Sequence, residues 1–348
     1  MGEAGSLPIP EDIINFDIGI TAEEGMRQIK RYDTIRFSKI FETVNNLIDA
    51  EITVILPIYE TAENVRPCLE SLFNQTYTDE QVILNWGSAA KEKLRKIVSA
   101  FRLIVTDAGL NEEALKTCRE MESAFGGRMK IITGVAKENL LSAGLQAAKG
   151  RYVLFINGTE IWVPYAFQTL HEIAENIRAD VVHLSNYLVP DADNTFSIKT
   201  NEPGWGENLQ NPVLLQRLND KFGVWINGMI SPSIYGKFIR REFLTEEKIS
   251  LTFDNEIEQW LFSLQCLLLA ERYLRLPQTF YMRTVEDDSR KVDFKDFDIT
   301  AKSSCEGLKI LDKLADEVFY FDEYAQAKEL LNDSYKNLIR EFLNEVLI

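Results

Sequence analysis

The chain has 348 residues, 45% of them apolar, enough to fill the core of one large domain with appendages. Its 38 basic residues against 54 acidic ones leave a formal charge of −16, and no Lys/Arg run offsets it, so a nucleic-acid backbone would be repelled. The longest apolar run, "LFSLQCLLLA" from Leu261, is too short for a transmembrane segment, and the opening "MGEAGSLPIPEDIINF" lacks the basic start and apolar core of a secretory signal, which predicts a cytoplasmic chain.

Residues 1–50 read as a helical extension. "EITVILPIYE", Glu51 to Glu60, is a short β-rich run ended by Pro57, and "ENVRPCLESLF" follows with Val65, Leu69, Leu72 and Phe73 on one helical face. The alternation returns in "RLIVTDAG" before "NEEALKTCREMESAF", and in "MKIITG" before "NLLSAGLQAAKG", where Gly150 reads as a helix stop. "RYVLFING" predicts a strand, Pro164 the opening of a helix with Phe167, Leu170, Ile173 and Ile177 inward, and "DVVHLS" a further strand. Strands alternating with helices imply an α/β domain over 51–300 built on a mostly parallel sheet flanked by helices.

Past residue 190 the text changes. From about Ala192 to Trp225 it is rich in Asn, Gly and Pro and predicts a long surface excursion. "INGMISPSIYGKFIRREFLTEEKISLTF", a helix from Glu256 to Arg272 and a strand-like "QTFYMRTV" complete a second half, 191–300, beside the first, 51–190. The tail, 301–348, is a helical segment in which Leu331, Tyr335, Leu338, Phe342 and Val346 recur at helical spacing, a stripe that either packs on the domain or docks a protein partner.

Cys68, Cys118, Cys266 and Cys305 have no paired spacing and read as reduced thiols packed in helices. With only His171 and His183, a multi-histidine metal site is excluded. In a parallel sheet the ligand crevice lies beyond the carboxyl ends of the strands, so Tyr59, Asp107 and the turn Asn157 to Glu160 should converge on one site.

These segments resemble glycosyltransferase family 2, the inverting GT-A enzymes that use nucleotide-diphosphate sugars. "ITVILPIYETAENVRPCLESLFNQTY" is similar to the family's opening strand, PxYN turn and helix. "SAGLQAAKGRYVLFINGTEIWVPYAFQTLHEIAENIRADVV" resembles its NAGL…GeYilFLDsDDw stretch, and "GKFIRREFL" and "FYMRTVEDDS" resemble its acceptor-side motifs.

The resemblance implies a GT-A-like fold, a donor such as a UDP-sugar, and a glycan or other hydroxyl compound as acceptor. It assigns Pro57, Tyr59 and Glu60 to the nucleotide turn. It also implies a nucleoside-binding acid after the second strand. "VILNWGS" offers Asn85 there and "LIVTDAG" offers Asp107; Asp107 is preferred, with Gln81 to Phe101 as an insertion, unless it merely caps the next helix.

At the family's DxDD, whose carboxylates hold Mg²⁺ or Mn²⁺ against the diphosphate, this chain carries Asn157, Gly158, Thr159 and Glu160, and only Glu160 could serve as a metal ligand. The general base, the Asp of an "ED" pair at the start of the acceptor-side helix, falls on Glu258 and Gln259, with Asp254 or Glu256 as substitutes; an amide cannot take a proton. Lys237, Arg240, Arg241, Arg283 and Arg290 are the cations that could hold a diphosphate without a metal. The same losses also fit a pseudo-glycosyltransferase that only binds a glycan or a protein.

Overall fold

The computed structural model describes residues 51–59, 65–75, 101–125, 127–191, 195–200, 202, 211–252, 254–284, 297–318 and 325–346. The N-terminal extension, Glu60, Asn85 and Arg290 lie outside the described residues.

The central sheet has eight strands in the order β3-β2-β1-β4-β10-β6-β11-β9. Its first half is built from β1 (Ile52–Ile58), α1 (Arg66–Phe73), β2 (Phe101–Asp107), α2 (Glu112–Glu122), β3 (Met129–Thr133), α3 (Leu140–Ala147) and β4 (Tyr152–Phe155). β1 is buried along its whole length, which is why it reads as a nearly unbroken apolar run: helices cover both faces of a parallel strand. β4 pairs with β1 only as far as Ile55, so Pro57, which has no N–H to give, falls past the end of that ladder.

Gly150 serves a different purpose from the helix stop its position suggests. α3 ends at Ala147, and a Cβ on Gly150 would lie 2.6 Å from the Thr53 backbone nitrogen. The residue lets the chain cross β1 closely enough for the Gly150 N–H to donate to Thr53 Oγ1 at 2.8 Å.

The second half adds β5 (Glu160–Trp162), α4 (Ala166–Ile177), β6 (Val181–Leu184), β7 (Asn186–Pro190), β8 (Phe196–Thr200), β9 (Val213–Leu215), α5 (Leu218–Ile226), β10 (Lys237–Arg240), α6 (Arg241–Glu246), α7 (Glu256–Leu269), β11 (Tyr273–Leu276) and β12 (Tyr281–Arg283). β10 runs antiparallel between β4 and β6, and β9 antiparallel beside β11, while the other strands of the sheet are parallel. A four-stranded sheet, β5-β12-β7-β8, stands beside it. Among its described residues the excursion read from Ala192 to Trp225 thus contains two strands and a helix. Its polar composition hides them because β8 is half of a solvent-facing hairpin and β9 is an edge.

His183 belongs to a buried cluster that ties this half together. Glu202 accepts from His183 Nε2 at 2.7 Å, from Arg275 Nε at 3.0 Å and from the Ser231 N–H at 2.7 Å, while Tyr273 Oη lies 2.7 Å from His183 Nδ1. Against burial, these donors hold the Glu202 carboxyl down to about 2, and burial lowers the His183 imidazole.

α8 (Phe297–Val318) and α9 (Ala325–Val346) pack on α7 and α5. Leu311, Leu314, Leu331 and Tyr335 are buried, and Tyr335 passes Gly307 where any Cβ would lie 1.8 Å from its hydroxyl. Leu331 and Tyr335, the start of the tail's apolar stripe, are therefore used within the domain; the Phe342 and Val346 side chains lie outside the described ones. Cys68, Cys118 and Cys266 are buried free thiols, and Cys305 is an exposed one on α8.

Among the described residues no helix is long and apolar enough to cross a membrane.

Candidate active site

The register of the sheet brings the expected nucleotide residues to one edge. Ile58 pairs with Asp107, so Tyr59 and Asp107 leave adjacent strands side by side, and Asn157 follows β4 on the other flank of β1. β10 runs the opposite way, so the residues preceding it reach the same edge. Tyr235 Oη lies 3.5 Å from Tyr59 Oη.

Asp107 is 1% exposed and its Oδ1 has no hydrogen-bond partner. It is not the cap of the following helix. Gly109, at φ +74°, turns the chain, and Asn111 Oδ1 accepts from the Ala114 N–H at 2.9 Å to cap α2. Asp107 faces Cys118 instead. Burial, and then the charge of Asp107, push that thiol up to about 12.

The turn after β4 closes on itself. Asn157 Oδ1 accepts from the Thr159 N–H at 3.0 Å and from the Thr159 hydroxyl at 3.1 Å. The Thr159 carbonyl in turn accepts from the Thr284 N–H at 3.0 Å and its hydroxyl at 3.2 Å, which fastens the turn to the end of β12. Glu160 points inward, fully buried, near enough to Cys68 for its charge to join burial in raising that thiol. The one carboxylate of the turn is thus beneath it rather than in the cleft.

The acceptor-side residues divide. Asn255 caps α7, its Oδ1 accepting from the Glu258 N–H at 2.9 Å, and Glu258 turns back so that its Oε2 faces the Thr252 N–H at 3.4 Å. Glu258 thus reaches back past the cap residue, on the α8 side, where Ser303 also donates to it. Gln259 follows in the same first turn. The structure does not bring Glu258 to the edge where Tyr59 and Asn157 meet.

Asp254, one residue before the cap, does reach that edge. Its charge is felt by the Tyr59 hydroxyl, and its carboxylate accepts from the Leu141 N–H at 2.6 Å and the Ser142 N–H at 3.4 Å at the start of α3. Burial pushes it up to about 7 in spite of those donors. The Asn255-x-x-Glu258 sequence marks the helix start, and Asp254, one of the substitutes the sequence offered for the base, lies just before it.

Glu258 is also held up at about 7, by burial before all else. An acid at 4.5 when unfolded and about 7 when folded binds its proton more tightly in the native state, so stability is complete below about pH 4.5 and falls as pH rises toward 7. Glu258→Gln is expected to flatten that slope and to be the more stable protein at pH 7.5, by about 1–3 kcal/mol in urea melts. Parallel pH profiles of the two proteins would remove the assignment.

Three of the candidate cations are engaged elsewhere. Arg240 pairs with Asp180 at 2.7 Å and Arg241 Nε donates to the Gly150 carbonyl at 2.7 Å, both at the opposite edge of the sheet. Lys237 is fully buried and donates to the Ser231 carbonyl at 2.9 Å and to that of Ser233.

Residues 53–235, more than half of the chain, match the model of glycosyl transferase family 2. The glycosyltransferase GlyG of Streptococcus pneumoniae is 22% identical over 236 residues, covering 66% of this chain and 69% of GlyG. GlyA of the same organism is 29% identical over 160 residues, 43% of this chain, and the match spans only 19% of GlyA. Among solved structures, S. aureus TarS 1–349 in complex with UDP-GlcNAc superposes with a TM-score of 0.51 at 14% identity, over 76% of this chain and 71% of that one, a likeness of fold. With the strand edge, the Asn157 turn and the Asp107 position lying inside or beside the matched segment, the chain belongs to glycosyltransferase family 2.

Proposed function

We propose that the chain binds a nucleoside-diphosphate sugar at the edge formed by β1, β2 and β4 and transfers its glycosyl unit, with inversion, to an acceptor hydroxyl on a glycan or similar compound. The observation that carries this reading is Asp107: a carboxylate withdrawn from solvent at the carboxyl end of a parallel strand, one oxygen without a partner. A buried acceptor left unmade is costly, and a nucleoside supplies the N–H or hydroxyl donors that would satisfy it.

Tyr59, beside Asp107 on the central strand, would line the nucleotide, and Asn157 and Thr159 would face its diphosphate. Asp254 is the group suited to remove the acceptor's proton. A carboxyl near 7 is half ionised at neutral pH, so it can both accept a proton and release it afterwards. Inversion follows from direct attack by that hydroxyl on the face of the sugar opposite the leaving diphosphate. Tyr235, which reaches the Tyr59 hydroxyl, supplies a wall between the two halves.

Isothermal titration with UDP and GDP, followed by transfer and hydrolysis assays with their sugars, tests the reading. Binding of one nucleoside diphosphate is expected, weakened about tenfold or more in Asp107→Ala. Full affinity in that variant would sink the assignment of Asp107. The neutral Asn157 and Thr159 favour a second reading, a binding module, whose signature is nucleotide affinity without turnover of any donor.

A further inference from the structure

Glu258, turned away from the nucleotide edge, lines a groove between α7 and α8 instead. α7 contributes Glu258 and Leu269, α8 contributes Lys302, Cys305, Ile310 and Leu314, and the segment from Lys248 to Thr252 closes the third side. That segment divides its side chains by turns. Ile249 and Leu251 are buried in the core, while Lys248, Ser250 and Thr252 line the groove. The space enclosed is about 680 Å³, the size of a site for a small organic molecule.

Two features set its chemistry, and the first is charge. The whole chain carries −16, yet Lys248 and Lys302 line this groove from two different sides, with Lys313 further along α8. Of the two acids in the lining, Glu306 is taken up by Lys309 at 2.6 Å, and Glu258, held at about 7 by burial, is only half ionised at neutral pH. The groove is therefore positive on balance in an acidic protein.

The second feature is the apolar lining that Leu269, Ile310 and Leu314 supply beside those cations. A small anion alone gains little from exposed lysines, which water and salt screen. An anion joined to an apolar body gains from the lysines and from the buried area together.

We propose that the groove between α7, α8 and the Lys248–Thr252 segment is a second binding site, separate from the nucleotide edge, and that it takes an amphipathic organic anion. It stands independently of the nucleotide-sugar reading, because none of its residues belongs to the edge formed by β1, β2 and β4.

The test uses the full chain and anilinonaphthalene sulfonate, a dye whose rings and sulfonate reproduce that chemistry, with phenylnaphthylamine as the same rings without the charge. Melting curves first establish that each variant is folded, since the dye also lights up loosened cores. One dye site is expected, weakened by added salt. Its affinity should fall by about two- to fivefold in Lys302→Gln and in Lys248→Gly, and by about tenfold in the two combined, while the neutral analogue binds all of them alike. Lys248→Gly carries no backbone penalty: Lys248 sits at φ +57°, a conformation that glycine adopts freely.

Cys305 reports the location. It lines the groove and is exposed, whereas Cys68, Cys118 and Cys266 are buried, so alkylation read by mass spectrometry follows this one thiol. Saturating dye should slow its alkylation severalfold, and UDP should neither displace the dye nor protect the thiol. Equal affinity for the dye and its neutral analogue, or full dye affinity in the folded Lys248→Gly, Lys302→Gln protein, would overturn the proposal. Displacement of the dye by UDP, or alkylation of Cys305 at one rate with and without dye, would place the dye elsewhere and overturn it equally.

Discussion

Asp254→Asn is expected to lower sugar transfer by about 10² to 10⁴, the range of a general base, while UDP affinity stays within about twofold. The substitution is nearly isosteric. Asn keeps an oxygen for the Leu141 N–H at the start of α3 but turns its amide nitrogen toward the Ser142 N–H that the second oxygen now receives, so a loss in stability of about 1–2 kcal/mol is expected beside the loss of the proton acceptor.

The pH profile separates this from a positional effect. The base works ionised, and burial holds Asp254 at about 7, so wild-type turnover at saturating donor should rise as pH passes through 7 and then level off. The residual rate of Asp254→Asn should be flat across that window. A variant that keeps more than a third of the rate, or a residual rate that still rises through pH 7, would show that another group accepts the proton.

The alternation of strands and helices was legible because parallel strands buried on both faces have few ways of being written: "ITVILPI" and "RLIVTD" are apolar almost throughout. The same rule located Tyr59, Asp107 and Asn157, since residues just past such strands must share an edge once the order β2-β1-β4 is assumed. β8 and β9 escaped because their pattern is that of exposed or edge strands, with Ile198 and Leu214 in solvent.

Asp254 was legible only as one of several acids: the helix start read at Glu256 is where α7 begins, but the sequence does not say which neighbouring carboxylate reaches the edge. The capping geometry of Asn255 and Glu258 decides it, and that lies in hydrogen bonds rather than in hydropathy. Gly150 shows the same limit. A glycine after a helix suggests a stop, but the demand on it comes from Thr53, nearly a hundred residues away in sequence.

The second large effect is a gain. Asn157→Asp with Thr159→Asp is expected to raise UDP affinity by about tenfold or more on adding Mn²⁺, since hard cations bind through one or two carboxylates plus phosphate oxygens. The turn can accept both changes. An aspartate at 157 still receives the backbone N–H of residue 159, and that N–H bond is one of the two that Asn157 Oδ1 now takes. Position 159 is partly exposed, so a carboxylate there remains hydrated, while the backbone stays fastened through its carbonyl to Thr284. Neither change touches β4. Gln259→Asp, the substitution the sequence register would add for rate, should contribute nothing further, because residue 259 lies in the first turn of α7 beyond the capping pair and Asp254 already holds the edge. Equal UDP binding with and without Mn²⁺ in the double variant would mean that its two carboxylates do not reach the diphosphate, and that the turn lies too far from the donor to have held a metal in this geometry.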